Sequence, residues 1–157
     1  MGPGLISTGL AAALTFAFVM AVDRHKRPAA LGASAFMLLT WCVAVIASVF
    51  GEPPDSMLWG QVCDGFLVVF LLGSMRYERA RWKIGVLSLL AIQAVVNFTY
   101  QVVWQHPAAF NTHVLILNLT FFAQLACVLS PGVRDVIKAL NQRRALLGSH
   151  RGPSELV

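Results

Sequence analysis

The side chains best suited to chemistry in this chain are a carboxyl group and several amides that lie inside long apolar stretches. Asp64 is the one acidic residue well inside such a stretch, and Asn97 and Asn118 lie in the two stretches that follow. A carboxyl group among amides can bind a proton, an ion or a small polar solute. The same groups can instead hold helices together through hydrogen bonds.

Asp64 and the two asparagines fall at similar depths if the apolar stretches form neighbouring antiparallel helices. At 1.5 Å per residue, Asp64 lies roughly 10 Å inside a helix that starts near Met57. The same count inward along the next two helices reaches Asn97 and Asn118. We therefore predict an intramembrane polar layer whose core is formed by these three residues.

Other polar residues share helical faces with this core. Residues four apart lie on the same face of a helix, and the fourth and fifth apolar stretches carry polar side chains at about that spacing. The predicted layer therefore also includes Gln93, Tyr100, Gln101, Thr120 and Gln124. Three interpretations stay open: hydrogen bonding between helices, a site for a proton, ion or small solute, and contact between copies of the chain.

The elements that must position these residues follow from composition. The chain is 57% hydrophobic and 12% charged, whereas about a quarter of a soluble protein is charged. A membrane-spanning helix needs about 20 mostly apolar residues, and five stretches qualify: residues 4–22, 29–50, 57–75, 84–104 and 110–129. The predicted fold is all-α, a polytopic integral membrane protein whose residues 1–130 form a bundle of about five transmembrane helices.

The distribution of basic residues predicts the orientation. All 12 Lys and Arg residues lie in three clusters, within residues 24–27, 76–83 and 134–151, and the turns at 52–55 and 105–112 carry none. Basic residues are retained on the cytoplasmic side. We therefore expect a multi-pass membrane protein with its N-terminus outside and its C-terminus in the cytoplasm. The first stretch is expected to be a retained helix, because its basic cluster follows the apolar run.

Residues 131–157 are predicted to form a basic amphipathic cytoplasmic helix and a disordered end. Ser130 and Pro131 fit an N-cap and a first helical position. Such a helix lies on the inner leaflet or binds a partner protein. Anionic lipid also accounts for the net charge of +5, so no nucleic-acid partner is expected. The residues predicted to contact lipid are Arg134, Lys138, Arg143 and Arg144.

The first apolar stretch carries small residues spaced by four, at Gly9, Ala13, Ala17 and Ala21. Small residues on one helical face let another backbone approach closely. This stripe predicts packing against a neighbouring helix of the same chain or self-association into an oligomer.

The sequence contains no pattern that indicates an enzyme or a cofactor. It has no Walker loop, HExxH, GxSxG or glycine-rich dinucleotide fingerprint. Its three cysteines form no CxxC motif and fit packing roles. His106 and His113 have no fixed spacing to the outer-face acids. We therefore predict a non-enzymatic protein without a cofactor or a metal site.

The layout resembles that of small polytopic membrane proteins from bacteriophages and prophages, some of them holin-like. The resemblance rests on the Asp23-Arg-His-Lys-Arg-Pro-Ala-Ala30 turn, on the acid in the third span, and on Arg81-Trp82 at the start of the fourth. It implies a protein that acts by self-assembly or partner binding, most concretely one that oligomerises and opens the inner membrane. The alternative is a small transporter or channel component that uses the polar layer around Asp64.

Overall fold

Every regular element in the described part of the chain is an α-helix. The computed structural model describes residues 3–22, 27–50, 53–77, 80–102 and 107–149. Prolines begin four of the five helices, where their fixed φ and missing N–H suit the first turn. The all-α class predicted from the sequence is confirmed. The helices are α1 (Pro3–Val22), α2 (Pro28–Phe50), α3 (Pro53–Met75), α4 (Arg81–Val102) and α5 (Pro107–Ser149).

Three helical segments are long and apolar enough to cross a membrane: Pro28–Ile46, Arg81–Val102 and Phe110–Leu146. The described apolar parts of α1 and α3, Ile6–Val22 and Trp59–Met75, are shorter. Large apolar side chains also cover the outside of the bundle, with Val69 exposed by 69% and Phe98 by 66%. Soluble proteins rarely expose such large apolar surfaces, and these features indicate a membrane protein.

The helices pack as a ring in chain order. Each helix contacts the next, α5 returns to contact α1, and α2 also touches α5 across the ring. The contact between α3 and α4 is less extensive than the other contacts around the ring. The buried core includes Val19, Met37, Leu71, Val86 and Val128.

Two glycines allow aromatic rings to pack closely against neighbouring helices. A Cβ atom at Gly9 would overlap the indole ring of Trp41, and one at Gly32 would overlap the ring of Phe70. Phe70 also packs against Phe36, with ring centroids 5.3 Å apart. Ring packing onto glycine therefore joins α1 to α2 and α2 to α3.

The helix α5 continues through Pro131, so the separate helix predicted to start after Ser130 is instead an extension of α5. Proline has no N–H to donate to the carbonyl four residues earlier, which belongs to Cys127. The Ser130 hydroxyl donates to that Cys127 carbonyl at 2.9 Å. A serine that supplies the missing donor is a common way for a helix to tolerate proline in apolar surroundings.

The extension of α5 is joined to the start of α2 by an ion pair. The Arg27 guanidinium Nη2 lies 2.8 Å from the Asp135 carboxylate Oδ2, and their side chains are only 20% and 33% exposed. Residues 136–146 are exposed along their whole length. The extension is therefore docked at its beginning and projects from the bundle beyond Asp135. The disordered end was predicted at residues 149–157; Ser149 is instead the last residue of α5, and residues 150–157 lie outside the described residues.

The Ser130 hydroxyl replaces the hydrogen bond that is lost at Pro131, and this role can be tested by removing the hydroxyl with and without the proline present. Ser130→Ala is expected to lower the free energy of unfolding by about 1 kcal/mol, because the Cys127 carbonyl loses its donor. In a Pro131→Ala background the backbone N–H restored at position 131 can serve that carbonyl, and Ser130→Ala should then cost much less. Denaturant unfolding in detergent micelles measures both differences. Equal losses in the two backgrounds would contradict this role of Ser130.

Candidate functional site

A chain of hydrogen bonds between polar side chains links α3, α4 and α5. The Gln93 amide Nε2 donates to Asp64 Oδ2 at 2.7 Å. The Gln124 amide Nε2 donates in turn to Gln93 Oε1 at 3.1 Å. Gln124 is 2% exposed, and the other two side chains are half-buried. We call this set the polar chain.

The central position of the polar chain suits a glutamine. A primary amide carries both a donor and an acceptor, so Gln93 donates to the carboxyl group on one side and accepts from Gln124 on the other. Because polar groups in an apolar interior are costly without partners, each link stabilises the contact between two helices. The polar chain therefore joins α3, α4 and α5 through two side-chain hydrogen bonds.

The structure places Gln93 beside Asp64, where the depth count had placed Asn97. Among the described residues, the hydrogen bond to the Asp64 carboxyl group comes from Gln93, four residues before Asn97. The count assumed that the outer ends of these antiparallel helices lie at one level, and a shift of four residues corresponds to about 6 Å along a helix. Asn97 is half-buried. The layer thus contains the predicted Gln93 and Gln124, with a different partner for Asp64.

Asn118 lies close to the polar chain through a shared cavity. A cavity of about 150 Å³ lies among α1, α2, α4 and α5, and Gln93 and Asn118 both line it. Thr8 of α1 and Thr40 of α2 contribute further polar groups to the lining. Since one water occupies roughly 30 Å³ in the liquid, the cavity has room for a few water molecules or a small ion.

The remaining predicted members of the layer lie elsewhere. The Thr120 hydroxyl donates to carbonyls of its own helix, to Leu117 at 2.9 Å. The Tyr100 ring stacks on the His113 ring with centroids 4.2 Å apart and planes 19° apart. Gln101 is exposed near the end of α4. The predicted layer therefore separates into the polar chain, the cavity beside it and an aromatic pair nearer the start of α5.

His113 is the polar group least accounted for by the sequence. It is 3% exposed, and neither ring nitrogen has a hydrogen-bond partner among the described residues. The stacking on Tyr100 explains its position but not its unpaired nitrogens. No group of three or more His, Cys, Asp and Glu side chains that could hold a metal comes together in the described ranges. His106 lies outside them.

The small residues of the stripe in α1 are not all buried to the same extent. Gly9 is buried against Trp41, whereas Ala13, Ala17 and Ala21 are exposed. The face of α1 that packs inside the bundle carries Thr8, Ala12, Thr15 and Val19. The spacing of four residues predicts that these residues share a face of α1. It does not predict whether that face points into the bundle, because the packing of neighbouring helices decides which face is buried.

All four basic residues predicted to contact lipid, Arg134, Lys138, Arg143 and Arg144, are exposed on the extension of α5. Only Arg134 and Lys138 line a cavity at the bundle end where α2 and α4 begin. Arg143 and Arg144 lie on the projecting part of the extension.

Two substitutions at Asp64 distinguish the role of its side chain as a hydrogen-bond acceptor from the role of its charge. Asp64→Leu is expected to lower the free energy of unfolding by about 1–2 kcal/mol, because the Gln93 amide loses its acceptor. Asp64→Asn keeps an oxygen that can accept and should stay within about 0.5 kcal/mol of the wild-type stability. Unfolding in detergent micelles measures both. A loss of equal size in the two variants would show that the hydrogen bond is not what stabilises the site.

The chain matches no protein-family model, no curated protein and no solved structure. The geometry of its own side chains is therefore the basis for assigning a function.

Proposed function

We propose that this chain is a small non-enzymatic membrane protein that works by association with copies of itself or with a membrane partner. The observation that carries the proposal is the exterior of α1. Ala13, Ala17 and Ala21 lie exposed on it, while the opposite face of the helix is already packed within the chain.

The physics of helix association in lipid supports this use of α1. Helices in lipid associate through van der Waals packing and hydrogen bonds, and small residues spaced by four allow the closest approach of two backbones. Had the whole stripe served packing within the chain, its alanines would be buried as Gly9 is. Their exposure, beside the exposed side chains of Leu10 and Leu14, leaves a face on which a second helix can pack.

The proposed arrangement in the membrane has five crossings in a bacterial inner membrane, with the N-terminus outside and the C-terminus in the cytoplasm. One residue from each basic cluster, Arg27, Arg81 and Arg134, lines the same cavity. Their common location supports retention of all three clusters on one side, as the positive-inside rule requires.

The most concrete form of the proposal is a holin-like phage or prophage protein, whose copies accumulate and open the membrane. The polar chain supports an assembly rather than a solute site as the main activity, because its two hydrogen bonds join three helices within a single copy. The exterior of the bundle is then the surface left for association.

Cysteine crosslinking tests the association surface. In a background with Cys42, Cys63 and Cys127 replaced by alanine, Ala17→Cys is expected to form a disulfide-linked dimer in oxidised membranes, because the two α1 helices would meet at that face. Val69→Cys, on the exposed face of α3, is the matched control and should stay monomeric. Gel electrophoresis without reductant reads out both. Monomers alone from Ala17→Cys, at every expression level, would contradict self-association through α1.

A small transporter or channel component is a second candidate, and one observation favours it. Gln93 belongs both to the polar chain and to the cavity that Asn118 lines. A proton or small ion in that cavity would therefore be one side chain away from the Asp64 carboxyl group. This function requires that water reach the cavity from outside.

Thiol labelling tests that access. In the same cysteine-free background, Asn118→Cys is expected to react with a membrane-impermeant maleimide added outside if the cavity conducts. Leu119→Cys, one residue along and 60% exposed on the bundle exterior, is the control and should stay unlabelled in lipid. Mass spectrometry of the intact chain counts the adducts. An unreactive cysteine at position 118 would remove the transport candidate.

A further inference from the structure

A strongly basic cavity lies at the end of the bundle where α2 and α4 begin. Its volume is about 300 Å³, and four cations with one carboxylate line it, a formal excess of three positive charges. Within the described residues, Asp135 is the one acid of the lining, and it pairs with Arg27 at 2.8 Å. Glu78 and Arg79, of opposite charge, precede this lining and lie outside the described residues. The other cations of the lining are Arg81, Arg134 and Lys138.

A buried donor without an acceptor lies in the same lining. Trp82 is 7% exposed, and its indole Nε1 has no hydrogen-bond partner among the described residues. A buried N–H group that lacks an acceptor costs free energy. The nitrogen itself is buried, so a ligand with acceptor oxygens would satisfy it after a small movement of the side chains that cover it. This donor is independent of the basic side chains and points to the same class of ligand.

The start of α4 adds a third attraction for an anion. Ala80, Arg81 and Trp82 line the cavity, and they include the first residues of a 22-residue helix. The first N–H groups of a helix have no acceptor within it. Together with the positive end of the helix dipole, they favour bound anions such as phosphate.

We infer that this cavity binds a phosphate group and that an anionic phospholipid presents it. Guanidinium groups bind phosphate oxygens through paired, charge-assisted hydrogen bonds, and Arg81 and Arg134 supply two such groups. A volume of 300 Å³ lies at the lower end of the usual range for ligand pockets, roughly 300–1,000 Å³. The cavity therefore suits a single headgroup.

A second, apolar cavity favours a lipid over free phosphate, because residues next to each other in the chain line the two cavities. The apolar cavity has a volume of about 540 Å³, and Pro28, Val69, Phe70 and Lys83 are among its lining residues. Arg27 lines the basic cavity and the next residue, Pro28, lines the apolar one; Trp82 and Lys83 are divided in the same way. The Lys83 ammonium donates to the Ser74 carbonyl at 3.1 Å. An acyl chain in the apolar cavity would thus lie beside its own headgroup.

Lipid binding by variants of the full chain tests the site. Native mass spectrometry of the detergent-purified protein, titrated with phosphatidylglycerol or phosphatidylcholine, measures the fraction that carries lipid. Arg81→Gln and Arg134→Gln are each expected to weaken phosphatidylglycerol binding roughly tenfold, and Trp82→Phe should weaken it as well. Both arginines are exposed, so their loss should leave the fold intact, which circular dichroism checks.

The matched control removes two charges from the same helix outside the cavity. Arg143→Gln combined with Arg144→Gln should leave the binding of phosphatidylglycerol at the cavity unchanged, because neither side chain lines it and the contact predicted for these two arginines is with the surface of a bilayer, which detergent micelles lack. Equal weakening by the control and by the cavity variants would overturn the site in favour of diffuse surface attraction. Unchanged binding in Arg81→Gln and Arg134→Gln would overturn it as well.

A second titration distinguishes the two sources of phosphate. In nanodiscs of phosphatidylcholine alone, inorganic phosphate followed by calorimetry is expected to show no saturable binding at millimolar concentration, since it lacks the acyl contacts. Saturable binding of inorganic phosphate that Arg81→Gln abolishes would overturn the assignment to a lipid.

Discussion

A carboxyl group inside an apolar helix bundle must find its hydrogen-bond donor within the protein, and Asp64 therefore constrains three helices at once. Its donor is Gln93 of α4, which in turn accepts from Gln124 of α5. The packing of α3 against α4 is less extensive than the other contacts of the ring, so this polar tie lies where apolar packing contributes least. Gln93 also lines the cavity that Asn118 lines, so the tie lies beside that cavity.

The need for internal partners also explains features of the backbone. The last carbonyls of a helix have no intrahelical donor. At the end of α3, the buried Lys83 ammonium of α4 donates to the Ser74 carbonyl at 3.1 Å, which is a favourable position for a cation at a helix C-terminus. Ser130 supplies the donor that Pro131 lacks. The Ser74 carbonyl also accepts from the Tyr77 N–H at 3.3 Å, so Lys83 adds a charged donor there, whereas Ser130 replaces a donor that the backbone lacks.

The sequence predicts the helices well because their length, apolar content and proline starts are local properties. It also predicts that Gln93 and Gln124 share a layer with Asp64, since spacing along a helix fixes a face. Spacing does not fix the offset between helices, so the depth count put Asn97 at the level of Asp64, whereas the donor to the Asp64 carboxyl group is Gln93. Pro131 was expected to follow a helix end, but α5 continues through it, and the Ser130 hydroxyl supplies the donor that Pro131 lacks. Two features depend on tertiary packing: the Trp82 indole N–H that lacks an acceptor among the described residues, and the meeting of residues from three basic clusters at one cavity. No local sequence pattern predicts either.

The most direct test of the account is a double-mutant cycle between Asp64 and Gln93, measured as the free energy of unfolding in detergent micelles. Asp64→Leu and Gln93→Leu each break the tie between α3 and α4, so the double variant should lose less than the sum of the single losses. We expect a coupling of about 0.5–2 kcal/mol, the range found for hydrogen bonds between helices in membranes. Losses that add within about 0.3 kcal/mol would show that the two side chains do not stabilise each other, and would contradict the account.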